Sequence, residues 1–112
     1  MEKVIIVQTT FSDKNEAVQF SRKILQSRLA ACVQLSSEVQ SMYWWKKEIE
    51  KDIEIIVTMK TLQSAYPQLE AFIEHTHSYD TPEIMAVAVE HVSSGYYQWL
   101  CDEIGKEQEK NA

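Results

Sequence analysis

The stretch "ACVQLSSEVQSMYWWKKEIEKDIEIIVTMK", Ala31 to Lys60, constrains the fold more than any other part of the chain. Its second half is rich in Glu and Lys, as an exposed helix would be, yet Ile53, Ile55, Val57 and Met59 alternate and the centre is β-branched. Side chains of a strand repeat every second residue, and branched side chains suit a pleated surface, so this segment reads as a strand. The first half places Val33 and Leu35 in alternation, loosens at Ser36-Ser37 and resumes with Tyr43, Trp44 and Trp45, the pattern of a long, bulged strand. Joined by a tight turn near Lys46 and Lys47, the two make one long hairpin. Its apolar and aromatic surface exceeds what one thin sheet layer can hide, so a second subunit is the expected cover.

The remaining segments fit around that hairpin. "VIIVQTT", Val4 to Thr10, is a short apolar run that reads as a strand buried on both faces. In "FSDKNEAVQFSRKILQSRLA" the period changes: Ala17, Phe20, Ile24 and Leu25 fall on one helical stripe, and Asp13 with Glu16 has the spacing of a capping box. "SAYPQLEAFIEH" predicts a second helix with Ser64 as cap, Pro67 in the first turn and Tyr66, Leu69 and Ile73 on one face. "EIMAVAVEHV" predicts a final long strand, and "SSGYYQWLCDEIGK" a terminal helix with Tyr97, Leu100, Cys101 and Ile104 on one side. The order βαββαβ plus a C-terminal helix is the ferredoxin-like split βαβ pattern, an α+β sandwich with both crossover helices on one face of an antiparallel sheet. Residues 1–112 form one domain on this reading, with only "GKEQEKNA" loose at the end.

Composition narrows the function. Eleven basic against seventeen acidic residues give a net charge of −6, which repels phosphate backbones and anionic membranes. An RNA-reading role for the aromatic strand lacks the basic-aromatic pattern it needs, and no run approaches the roughly 20 apolar residues of a membrane span. The apolar run at the N-terminus is too short for a secretory signal, so the expected location is the cytoplasm. Cys32 and Cys101 each sit among apolar residues without a closely spaced partner, as buried reduced thiols do. No activated nucleophile, Gly-rich phosphate loop, HExxH or CxxC is present, so the chain does not read as an enzyme. Thr9, Thr10 and Ser12 near a helix start could meet an anion, but capping accounts for them more simply.

The segment "HTHSYDTPEIMAVAVEH" holds all three histidines. His75 and His77 lie on one side only if the chain there is extended; in a helix they diverge by roughly 200°. His77, Glu83 and His75 are too few donors for a mononuclear site from one subunit, so from residues alone a surface turn and a weak metal site both stay open. His91 follows the last strand and reads as a rim residue.

Four motifs in one order, "RLAACV", "YWW", "HSYDTPEI" and "YYQW", resemble the CutA family of divalent-cation tolerance proteins, over nearly the whole chain from Val4 to about Leu100. The resemblance implies a ferredoxin-like subunit, related in architecture to the PII signalling proteins, that forms a tight homotrimer. It implies weak binding of a divalent metal ion, Cu(II) first, at His77 and Glu83, and an inter-subunit cleft carrying Trp45, Lys60 and Tyr79. Three departures stand out. Ser78 replaces the proline of the family's His-Pro-Tyr-x-x-Pro-Glu motif; Gln8 stands where some members carry a copper-binding cysteine; and Lys47 takes the place of the usual hairpin glycine. Without the thiol, imidazole and carboxylate suit Cu(II) or Zn(II) better than Cu(I). The rival reading is a PII-like signalling or scaffold trimer that binds a small anionic metabolite or another protein, with metal binding incidental.

Overall fold

A computed structural model describes residues 1–105, in the order β1 (Val4–Phe11), α1 (Lys14–Gln26), β2 (Cys32–Trp45), β3 (Glu48–Leu62), α2 (Tyr66–Thr76), β4 (Met85–Ala88) and α3 (Ser94–Glu103). The four strands form one sheet in the order β2-β3-β1-β4, every pair antiparallel, which is the ferredoxin-like arrangement. Of the C-terminal segment read as loose, residues 106–112 lie outside the described residues.

Period-two alternation decides which side chains meet the helices. Val7 and Phe11 of β1 and Ile55, Val57 and Met59 of β3 point one way and pack against Ala17, Phe20 and Ile24 of α1 and Leu69 and Ile73 of α2. Val4, Leu62 and Leu100 form a smaller core that α3 closes with Tyr97, Cys101 and Ile104. The opposite sheet face carries only α3, over its Val4–Leu62 end, so Ile6 and Gln8 stay half-buried; β1, whose composition suggested burial on both faces, is buried on this one only at Val4 and Thr10.

Several local expectations are corrected. Leu25, one position past Ile24, leaves the buried stripe and is exposed, while Ser21 is buried and donates its hydroxyl to the Ala17 carbonyl. Asp13 caps α1 by accepting the Asn15 N–H, but Glu16 does not close a capping box: its carboxylate takes the Ser78 hydroxyl instead, at 2.9 Å. Ser64 does not cap α2 either. The chain enters that helix through a 3₁₀ turn, Gln63–Ala65, and the Ser64 N–H is satisfied by the Glu2 carboxylate at 2.6 Å. Cys32 and Cys101 are free but only half-buried. β4 is only four residues long, pairing with Ile5 to Gln8 of β1; beyond Ala88 the chain turns Val89 and Val92 into the α3 cluster.

The hairpin has its turn and its bulge at the expected places. Leu35 pairs with Val57 and Glu38 with Ile55, so β2 holds one extra residue at Ser36-Ser37. The Ser36 hydroxyl accepts the Ile56 N–H at 2.9 Å, replacing the ladder bond the bulge removes. One extra residue also reverses the facing of everything after it. Val39, Tyr43 and Trp45 therefore share the face turned away from α1 and α2 with Glu54, Asp52, Glu50 and Glu48, and the Tyr43 hydroxyl bonds Asp52. At the tip, Lys46 (φ 49°) and Lys47 (φ 71°) both take left-handed backbone, the two-residue turn that matches strand twist. The hairpin runs past the ends of the helices, leaving Met42, Trp44, Trp45, Ile49 and Ile53 exposed on a molecule 48 × 31 × 23 Å in extent.

Candidate functional site

The end of β1 sets the positions. Phe11 faces the helices, whereas Gln8 and Thr10 face the uncovered side, beside Thr58 and Ile56 of β3. α2 stops at Thr76 because His77 turns to extended backbone while its N–H still closes on the Ile73 carbonyl. The His77 ring then lies on Phe11, with centroids 4.2 Å apart and planes 8° from parallel. Nε2 reaches the Thr10 carbonyl at 2.7 Å, and Nδ1 meets the Tyr79 N–H at 3.0 Å. A carbonyl only accepts and an amide N–H only donates, so the neutral ring carries its proton on Nε2.

From there the loop crosses the sheet end to the uncovered face. The Tyr79 hydroxyl donates to Glu54 Oε2 at 2.8 Å, and the same oxygen accepts the Thr10 hydroxyl at 3.1 Å. Burial, followed by that bond to Glu54, pushes the Tyr79 phenol up to about 12. Further along, Glu83 Oε2 accepts the Gln8 carboxamide N–H at 2.8 Å. The segment from His77 to Glu83 is thus tied to β1 and β3 by side-chain bonds on both sides of the sheet.

Three of the residues expected from the sequence, His77, Tyr79 and Glu83, converge on this end of β1. His75 is exposed in the last turn of α2, and His91 is exposed beside Glu90. Trp45 and Lys60 lie elsewhere. Trp45 is at the hairpin tip with Lys46 Nζ 5.7 Å from its ring, and Lys60 pairs with Cys32 and Ile6, with its Nζ 6.0 Å from the Tyr96 ring. The strand between them, Glu48 to Lys60, spans roughly 40 Å. Sequence reasoning missed Glu54 and Phe11, and read Thr10 as a cap rather than as a partner of Glu54. Glu54 was findable: a carboxylate inside the run Ile53, Ile55, Ile56, Val57 needs a partner to stay there.

As arranged, these donors do not make a metal cage. Both His77 nitrogens are engaged, one Glu83 oxygen is taken, and no group of three or more His, Cys, Asp or Glu side chains among the described residues could hold an ion. The Thr9 and Thr10 hydroxyls are likewise unavailable to an anion: Thr9 is buried in the core and Thr10 serves Glu54.

A ferredoxin-like subunit with an overlong aromatic hairpin and a His-x-Tyr-x-x-Pro-Glu loop folded onto its first strand defines a narrow class of small α+β proteins. The model of the CutA1 divalent ion tolerance protein family matches residues 5–103, and the chain belongs to that family. It is 37% identical over 103 residues to the divalent-cation tolerance protein CutA of Pyrococcus horikoshii, covering 92% of this chain and 100% of that one. It is 36% identical to the Thermotoga maritima protein of the same description, covering 90% and 99%. Among solved structures, CutA1 from Oryza sativa superposes with a TM-score of 0.89 at 28% identity, covering 92% of this chain and 94% of that one. No helix among the described residues is long and apolar enough to cross a membrane.

Proposed function

We propose that this divalent-cation tolerance protein works in the cytoplasm as a homotrimer, by binding rather than by catalysis, with no nucleic-acid partner. Its clefts lie between subunits and combine Trp45, Lys60 and Tyr79, and it holds a divalent ion, Cu(II) first, weakly at His77 and Glu83. The observation that carries the reading is the hairpin: Trp44 is 71% exposed, Trp45 57%, Met42 61% and Ile49 59%, a cluster of large apolar side chains that a lone subunit leaves in water. The separation of Trp45 from Lys60 along β3 agrees with this, because only two subunits can bring them together. The reading is of weak binding, since two donors fall short of the three or four that a tight site uses and an ion at His77 Nδ1 would have to displace the Tyr79 N–H. Calorimetry of the purified protein with Cu(II) and Zn(II) tests the metal reading. Binding weakened by His77→Ala and by Glu83→Ala supports it, and unchanged affinity in both variants removes it.

A further inference from the structure

The sheet order β2-β3-β1-β4 leaves two strand edges open, the outer sides of β4 and β2. The phase of the β1–β4 ladder decides what β4 offers there. Val4 stands opposite Val89 and accepts its N–H at 2.9 Å. Bonded pairs in an antiparallel ladder fall at every second position, so Ile6 with Val87 and Gln8 with Met85 are bonded, while Ile5 with Ala88 and Val7 with Ala86 are not. The other side of β1 agrees: Lys3 accepts the Gln63 N–H, which commits the odd residues of β1 to β3. Ala86 and Ala88 therefore turn their N–H and C=O groups outward. All four residues of β4 are exposed, and "MAVA" carries none of the charges, prolines or bulges that ordinarily blunt an edge. Beside it, on the side of α1 and α2, runs an open groove of about 400 Å³, lined mostly by apolar groups, Ile5, Tyr66, Pro67, Ala86 and Ala88 among them.

We propose that β4 takes the outer edge of β2 from a second copy of the chain, so that two four-stranded sheets become one continuous sheet through Ala86 and Ala88. The proposal rests on the assembly reading and adds which edges join. Direction fits. Neighbouring strands alternate in direction across the sheet, so β2 runs opposite to β4, and a copy turned about an axis along the strands brings its β2 antiparallel to β4 with both sheets keeping their faces. Size fits as well. Met42 and Trp44 lie opposite Lys51 and Ile49, on the side of Ile53 and Ile55, and both are exposed, whereas Val33 and Leu35 on that side already pack in their own core. The large free side chains of β2 thus meet a groove whose strand residues are alanines. Each subunit has one edge of each kind, so the contact is head-to-tail, and the rotation closes it into a ring. With the helix layer outside, the opposite faces look into the ring, and they carry Trp45, Lys60 and the Glu54 carboxylate that holds Tyr79.

The test uses the full-length protein in assemblies mixed from isotope-labelled and unlabelled copies. NMR contacts from the Ala86 and Ala88 amides of a labelled copy to Cys32–Trp45 of an unlabelled one are expected. Those two amides should also exchange at least about tenfold more slowly than exposed ones, the worth of one hydrogen bond. Ala86→Pro removes an outward N–H and no bond inside the subunit, so it should keep its circular dichroism and sediment at the 13.0 kDa of one subunit. A wild-type trimer in which these amides exchange as exposed ones, or contact another element, overturns the pairing and leaves assembly standing, as does an Ala86→Pro variant that still forms trimers. If the proline variant does not fold, exchange and contacts in the wild type decide alone. A monomeric wild type overturns the pairing and the assembly reading together.

Discussion

The imidazole of His77 lies flat on the Phe11 ring, 4.2 Å between centroids, while Nε2 donates to the Thr10 carbonyl and Nδ1 accepts from the Tyr79 N–H. From the sequence, a ligand at this position should be removable with little effect on folding. The structure gives the ring three structural contacts instead. His77→Ala is therefore predicted to lower stability by about 2–3 kcal/mol, roughly 1 from the stacking and 1 from each hydrogen bond. Urea unfolding of the two proteins measures this directly, and a loss below about 0.5 kcal/mol, the range of ordinary surface changes, contradicts it.

Tyr79 gives the fold an alkaline limit. Burial, and then its bond to Glu54, hold its proton up to about 12, against 10.0 for an ordinary tyrosine. The fold thus favours the neutral phenol. That stabilisation is complete below the unfolded value and is lost as the pH climbs from 10.0 toward about 12. Thermal melts across this window should show wild type losing more stability than Tyr79→Phe, which has no proton to lose. Parallel curves would show that Tyr79 does not set the limit. Tyr43, pushed to about 12 by its bond to Asp52, titrates late as well but stands in solvent on the hairpin.

How much was readable beforehand differs by element. The alternation of Ile55, Val57 and Met59 and the helical stripe of Ala17, Phe20 and Ile24 appear in the structure as written, because each period states which side is buried. The bulge was legible because two serines interrupt an apolar alternation. The length of β4 was not: "EIMAVAVEHV" carries strand propensity throughout, and the ladder ends at Ala88 where Val89 and Val92 pack into the α3 cluster, a tertiary contact with no local signature. Capping failed at Ser64 because the chain enters α2 through a 3₁₀ turn that puts Ala65 at the cap position, and at Glu16 because Ser78, remote in sequence, took its carboxylate. Of the site, His77, Tyr79 and Glu83 were legible as a motif. Their bonds to Thr10, Glu54 and Gln8 depend on the β1–β3 register and on a loop crossing the sheet end, neither of which has a local signature.

The hairpin tip predicts a gain from a single change. Lys47 has φ 71°, a conformation that strains a side chain with a Cβ and that glycine adopts freely. Lys47→Gly should raise stability by about 0.5–1 kcal/mol after the greater freedom of an unfolded glycine is counted. A fall in the melting temperature would mean that the lysine side chain has a use that its backbone strain conceals.

Two buried threonines in adjacent strands should respond oppositely to the same substitution. Thr9 Oγ1 is buried with no hydrogen-bond partner, whereas the Thr61 hydroxyl donates to the Leu29 carbonyl at 2.7 Å. Valine keeps the shape and removes the hydroxyl. Thr9→Val should gain about 1 kcal/mol by relieving an unmet donor, and Thr61→Val should lose about 1–3 kcal/mol by leaving a buried carbonyl without its partner. Denaturant midpoints with unchanged slopes would establish both, and equal effects of the same sign would contradict the assignment.

Assembly is the central claim, since the inter-subunit cleft depends on it and the exposed hairpin has no other cover in a lone subunit. Sedimentation equilibrium over a wide dilution range tests it most directly. Wild type should sediment at three times the 13.0 kDa subunit mass. Trp45→Ala should dissociate on dilution or melt at a lower temperature, because a buried aromatic anchor carries about 2 kcal/mol or more of interface energy. A wild-type protein that sediments as a stable 13.0 kDa monomer at every concentration would contradict both the trimer and the cleft.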